Sequence, residues 1–218
     1  RAQLRIKHRK VFYFTQRIIE LMCKIWYSFF VQEIVQLIKT TNQNKYMNQF
    51  ILIVNGPVCS GKTSTVTAIM GKYKKVFNLQ QNKIKWLISD YTPDRDRKAV
   101  QESLLLVGER MLENGMSLIL EGGSVTQGEM NKALETIGEK HGIKTTYVNI
   151  EAPLDVLKER FQERLKVSQE RGTKLSFTDD EGYMKRYNAY TAIKGDAPTF
   201  DTSVLLPEEV SEKIMQLV

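Results

Sequence analysis

Two cysteines and two histidines among 218 residues leave little material for covalent or metal cross-linking. One of the pair, Cys59, sits inside a glycine-bounded loop where a bridge would distort the backbone, so a disulfide framework is excluded and a reducing, cytoplasmic setting is expected. His8 and His141 have no ligand spacing, which argues against a structural metal. Long unbroken apolar runs are also missing. The stretch from Val11 is interrupted by Arg17, Glu20, Lys24 and Glu33, whereas a membrane span needs roughly 20 predominantly apolar residues. It also lacks the small-residue cleavage site of a secretory signal. No internal repeat, low-complexity tract or N-K-x-D element occurs, and the last absence removes the signature of guanine-specific switches. What remains is ordinary globular composition, 42% hydrophobic and 26% charged, in a chain long enough for one α/β domain with a substantial core.

The net charge of +7 invites a nucleic-acid reading until its placement is considered. Residues 1–46 hold nine Lys/Arg against Glu20 and Glu33, while residues 47–218 hold 23 of each sign. The basic excess therefore belongs to an N-terminal extension, residues 1–46, and the domain at 47–218 is formally neutral, which argues against nucleic acid as its partner. Phe14, Ile18, Met22, Ile25 and Phe29, with Ile19, Trp26 and Phe30, have helical spacing and a broad apolar face. Such a helix needs a partner surface, either this domain or a second copy in a homo-oligomer. The basic arm at residues 1–10 leaves a membrane-surface or nucleic-acid role open for the extension alone.

The most specific signal follows the apolar run Ile51-Leu52-Ile53-Val54. Gly56-Pro57-Val58-Cys59-Ser60-Gly61-Lys62-Thr63 has the spacing G-x-x-x-x-G-K-[ST] of a phosphate-binding loop. Backbone N–H groups surround the phosphates, Lys62 reaches the terminal ones and the Thr63 hydroxyl holds Mg²⁺. A chance match in a chain of this length has a probability on the order of one in a hundred, given glycine near 7% of residues. Ser64 continues into a helix-compatible run whose N-terminal dipole favours an anion.

From Phe50 onward, short apolar runs alternate with helical patterns, which predicts a parallel sheet covered on both faces. Strands are expected near 50–55, 84–89, 117–121, 144–150 and 201–205. Helices are expected near 61–73, 98–114, 128–141, 153–171, 179–192 and 207–217. This places Asp90 at the end of a second strand, at the carboxyl edge where doubly wound sheets bind ligands, and makes it the candidate base toward an acceptor. The alternative is a simple turn residue ahead of Tyr91-Thr92-Pro93-Asp94. Arg95 and Arg97 are candidates for clamping an anionic acceptor, or form a solvated cluster with Asp94 and Asp96. Glu121 closes the third strand, where a carboxylate can hold Mg²⁺ through water, and Gly122 and Gly123 admit a ligand or form a tight turn. Arg160 and Arg164 stand one turn apart on one helix face, with Arg171 beyond them. Phosphoryl transfer needs such cations over the migrating group, although neighbouring Lys and Glu also fit an exposed, ion-paired helix. The stretch from Arg171 to Thr178 could close over a bound nucleotide. Tyr183, Tyr187 and Tyr190 read as packing residues rather than a base-stacking platform.

With these residues in place, residues 48–218 resemble the P-loop small-molecule and nucleotide kinases. The resemblance rests on Gly56 to Thr63, Asp90, Glu151-Ala152-Pro153 with Arg160 and Arg164, and Phe200-Asp201-Thr202-Ser203 followed by Pro207. It implies a three-layer P-loop NTPase fold with a five-stranded, mainly parallel sheet and a helical lid. It also implies ATP and Mg²⁺ as cofactors, lid arginines on the ATP phosphates, Asp90 at the acceptor hydroxyl of a small molecule, and the last strand and its turn beside the adenine. A second resemblance, carried by the loop and Leu118-Ile119-Leu120-Glu121-Gly122-Gly123-Ser124, is to the adenylate isopentenyltransferases and implies transfer of a prenyl group to an adenine nucleotide. A non-catalytic nucleotide-dependent switch is the third reading.

Overall fold

The computed structural model describes residues 49–122, 127–173, 175, 177–192 and 194–218, together with Gln32. Gln32 apart, these belong to the unit Asn48–Val218. The helical extension expected over residues 1–46, and any contact it makes, lie outside the described residues.

Strands and helices follow in the order β1 (Ile51–Asn55), α1 (Lys62–Lys72), β2 (Val76–Leu79), α2 (Gln81–Lys85), α3 (Pro93–Glu113), β3 (Ser117–Glu121), α4 (Gln127–His141), β4 (Thr145–Glu151), α5 (Leu154–Glu170), α6 (Asp180–Thr191), β5 (Thr199–Asp201) and α7 (Pro207–Met215). The sheet order is β2-β3-β1-β4-β5, and every neighbouring pair is parallel. β1 is central, which is why Ile51, Leu52, Ile53 and Val54 are all fully buried. A strand covered on both faces has no polar side to show.

Side chains alternate between the faces. Leu52, Val54, Ile119, Val148 and Ile150 meet Val66 and Ile69 of α1 and Val210 and Ile214 of α7 in one cluster. On the opposite face α3 buries Val100, Leu104, Gly108 and Leu112, a strict four-residue stripe. The chain order reverses beside β1, with β3 on one side and β4 on the other. A crevice at the carboxyl edge of such a sheet is the usual ligand site, and the loop after β1 opens there.

Two strand positions differ from the sequence expectation. The second strand is Val76–Leu79, not residues 84–89. Residues 81–85 instead form the short helix α2, and Trp86 and Leu87 after it are 58% and 83% exposed. β-prone composition in residues 84–88 was outweighed by register, since Val76–Leu79 runs parallel beside Ser117–Leu120 in a continuous four-residue pairing. Asp90 therefore ends no strand; it stands in the turn between α2 and α3, with its side chain 86% exposed. The last strand is Thr199–Asp201 rather than residues 201–205, because residues 202–204 turn toward the phosphate loop.

Candidate functional site

The loop between β1 and α1 is held in a shape that most side chains would prevent. A Cβ on Gly56 (φ 154) would lie 2.1 Å from the Ile150 carbonyl oxygen, and Gly61 and Cys59 take φ 89 and 68. Left-handed backbone of this kind turns successive N–H groups into a concavity that suits anions. Gly61 is the N-cap of α1 and offers no side-chain oxygen to the helix start. The first N–H groups of α1 therefore retain their unmet donor capacity and the positive end of the dipole.

Lys62 is half-buried and donates to the carbonyls of Gly56 (2.9 Å) and Pro57 (2.5 Å). Burial pushes its ammonium down to about 8; Glu121 opposes that shift and the charge of Arg164 adds to it. Arg164 thus lies within electrostatic reach of the loop lysine, and it makes no hydrogen bond among the described residues.

Glu121, at the end of β3, receives donors from three side chains among the described residues. Thr63 Oγ1 donates to Oε2 at 2.9 Å, while Asn78 Nδ2 and Gln80 Nε2 donate to Oε1 at 2.9 and 2.7 Å. A hydroxyl and a carboxylate oxygen this close form an all-oxygen donor pair, which fits a hard cation such as Mg²⁺. Gly122 beside it is buried and donates its N–H to the Val54 carbonyl at 2.7 Å. Gly123 lies outside the described residues.

The expected lid arginines separate into different tasks. Arg160 reaches the Cys59 carbonyl at 3.5 Å and bonds Thr202 twice, at Oγ1 (2.9 Å) and at the carbonyl (2.8 Å). Thr202 Oγ1 in turn lies within hydrogen-bonding distance of two carbonyls, Ser60 (2.9 Å) and Glu151 (3.1 Å), and its single proton donates to one or the other. This cluster ties the turn after β5, the end of β4 and α5 to the phosphate loop. Nearby, hydrogen bonds from Ser203 lower the Asp201 carboxyl, and the Arg160 charge helps. Arg171 is the exposed C-cap of α5.

Behind the loop, Phe161 stacks on Tyr183 at 4.7 Å and meets Phe177 at 5.5 Å, in a cluster that also touches Val58 and Cys59. Burial pushes the Tyr183 phenol up to about 12. Burial likewise raises Tyr190, whose hydroxyl donates to Glu151 Oε1 at 2.5 Å; Lys194 donates to Oε2 at 2.8 Å. Tyr183 and Tyr190 are therefore core residues, as their spacing suggested.

The structure brings Gly56, Pro57, Val58, Cys59, Ser60, Gly61, Lys62, Thr63, Glu121, Arg160 and Arg164 to one edge of the sheet. It does not bond Asp90, Arg95 or Arg97 to that edge. Arg95 instead grips both carboxylate oxygens of Asp96 (2.7 and 2.8 Å), donates to the Asp90 carbonyl, and reaches the Asp90 carboxylate only at 3.5 Å. Arg97 makes no hydrogen bond among the described residues. The strand-end premise for Asp90 as base is corrected. Asn78, Gln80 and Thr202 were missed as site residues. Thr202 lay in the segment that carried the kinase resemblance, while Asn78 and Gln80 flank Leu79 in a two-residue alternation that marks a short strand.

A second grouping lies elsewhere: ligand atoms of Glu109, Glu113 and His141 fall within 4.8 Å of one another. Lys140 and Arg110 each approach one of these carboxylates at 2.6 Å, so the carboxylates already have counter-charges. Among the described residues no helix is long and apolar enough to cross a membrane.

A family model described as an AAA domain matches residues 51–178. No curated protein matches the chain. Among solved structures, the tunicamycin resistance protein of Deinococcus radiodurans is similar at 18% identity and TM-score 0.52, over 78% of this chain and 95% of that one. A sugar kinase from Janibacter sp. HTCC2649 is similar at 16% identity and TM-score 0.51, over 77% and 93%. The APS kinase of Mycobacterium tuberculosis is similar at 15% identity and TM-score 0.55, over 78% and 96%. At these identities the likeness concerns the fold, an α/β P-loop arrangement shared with kinases.

Proposed function

The chain belongs to this family of AAA domains, and from that premise we propose that it is an ATP- and Mg²⁺-dependent phosphotransferase. Its acceptor is a small molecule such as a nucleoside, a nucleotide or a sugar conjugate. The observation that carries the reading is the convergence, on one sheet edge, of the loop lysine, the Thr63–Glu121 oxygen pair and the arginines of α5. One similar structure, the APS kinase, was solved with AMPPNP and APS together, which is the pairing of nucleotide and small acceptor proposed here.

In this reading the backbone N–H groups between Gly56 and Ser64, of which Pro57 has none, bind the phosphates. Lys62 leaves its loop carbonyls for the terminal phosphates, where its charge opposes the charge that develops during transfer. Thr63 and Glu121 would hold Mg²⁺, which when bound neutralises phosphate charge. Arg164, in reach of Lys62, faces the transferring group. Arg160 orients the loop through Thr202, and Arg171 lies where residues 171–178 could close. Asp90, Arg95 and Arg97 stay candidates for the acceptor side, where an exposed carboxylate and guanidinium can contact a polar molecule; the base role is not carried over to Asp90.

Incubating the protein with γ-labelled ATP and a metabolite pool, read by mass, tests the proposal. A phosphorylated small molecule is the expected product. Consumption of a prenyl diphosphate would move the assignment to prenyl transfer, and tight ATP binding without any acceptor product would favour a switch.

A further inference from the structure

Two amides, Asn78 in β2 and Gln80 just past its end, have a placement set by the sheet. Asn78 pairs with Ile119 and Leu79 with Leu120, so Gln80 falls one step further along, level with Glu121. Asn78 and Gln80 share a strand face with Ile119 and Glu121 by the two-residue period. Both amides then donate to the same oxygen, Glu121 Oε1, at 2.9 and 2.7 Å, while Oε2 receives the Thr63 hydroxyl at 2.9 Å.

The arrangement leaves one acceptor of the pair unmet. Asn78 Oδ1 is buried without a hydrogen-bond partner. Turning the amide over would set that oxygen against the carboxylate, so the orphan acceptor is the consequence of donating to Glu121. A buried unpaired acceptor costs about 1–3 kcal/mol, and a fold that keeps one calls for a reason.

Resting on the phosphotransferase reading of this edge, we propose that Asn78 and Gln80 are positioning residues that set the affinity of the nucleotide complex for its divalent cation. By engaging Oε1 they fix the rotation of the Glu121 carboxylate, which sets Oε2 beside Thr63. Released from the amides, the carboxylate would turn, and the metal would meet a ligand that must first be ordered. Groups that orient a metal-holding side chain in this way typically contribute 10–100-fold in metal affinity.

The test is a Mn²⁺ titration of the full chain saturated with ADP, followed by electron paramagnetic resonance, for the parent protein and for Asn78→Ala, Gln80→Ala and the double substitution. A parallel titration with a fluorescent ADP in EDTA reads nucleotide affinity without metal. Expected is a loss of roughly tenfold or more in Mn²⁺ affinity for at least one folded variant, with metal-free nucleotide affinity within error of the parent and a cooperative unfolding transition retained. Unchanged Mn²⁺ affinity in folded variants overturns the inference while leaving the phosphotransferase reading intact. A parallel loss of metal-free affinity also overturns it, because it would mark a disturbed loop. If the parent itself shows no dependence of Mn²⁺ binding on nucleotide, the reading of the site falls together with the inference.

Discussion

The phosphate-loop edge and the segment at residues 86–97 are both expected to meet ligands, yet they are held in opposite ways. Around the loop, almost every orienting contact comes from backbone or from side chains anchored in the sheet: Gly56 packed on the Ile150 carbonyl, Thr202 on Ser60, and Glu121 gripped from β2 and α1. At residues 86–97 the polar groups bond mainly to one another, Trp86 and Leu87 are exposed, and the Asp90 carboxylate has only a long contact to Arg95. A donor site built this way tolerates few substitutions, because each one disturbs a packed contact. An acceptor surface built from solvated side chains can be changed at little cost in stability.

Substitutions that break this contrast should have the largest effects at the loop. Lys62→Ala should lower kcat/KM for phosphoryl transfer by about 10²–10³-fold, the scale of one lost charge-stabilising donor; steady-state kinetics with the identified acceptor would show it. Gly56→Ala should destabilise the domain by about 3 kcal/mol or more, since its Cβ would collide with the Ile150 carbonyl at 2.1 Å on a backbone of φ 154. A urea denaturation curve measures that loss, and a shift below 1 kcal/mol would show that the loop yields more readily than its contacts suggest.

Lys62 also sharpens the comparison through pH. Its folded value near 8 lies below the ordinary 10.5, so between those values the unfolded chain holds a proton that the nucleotide-free fold does not. Stability of the free domain should therefore rise with pH across that window. Nucleotide phosphates need the charged form, so ADP affinity should fall by up to about tenfold per pH unit above 8. In Lys62→Met that slope should vanish, and fluorescence titrations at pH 7, 8 and 9 decide it. The smallest effect belongs to the other region. Asp90→Asn should leave ATP affinity within about twofold and reduce turnover by less than about tenfold, as expected for an exposed side chain whose ion pair is worth little. Loss of nearly all turnover would instead restore Asp90 as the base.

How far each part was legible follows from the same physics. The loop could be read because its function is a backbone shape, and only glycines at set spacing permit that shape. β1 and β3 announced themselves by apolar runs, since central strands of a parallel sheet are buried on both faces. β2 did not: it is four residues long, carries Asn78 among its apolar residues, and gains its identity from lying beside β3. Placing the strand at residues 84–89 hid Asn78 and Gln80 and gave Asp90 a position it does not occupy. Thr202 was hidden for another reason, because its partners Ser60, Glu151 and Arg160 are 142, 51 and 42 positions away, and no local pattern encodes so distant a contact.

The Thr202 link has a consequence for how the protein is made. A ribosome delivers the phosphate loop early in the domain's synthesis, but the threonine that braces it emerges 142 residues after Ser60. Until then the loop has its glycines without its strut, and α5 has an arginine whose two strongest partner atoms do not yet exist. Completion of the nucleotide site is thus deferred until β5 and the turn after it have been made, so a chain cut short before β5 carries the whole phosphate motif without the brace that finishes it.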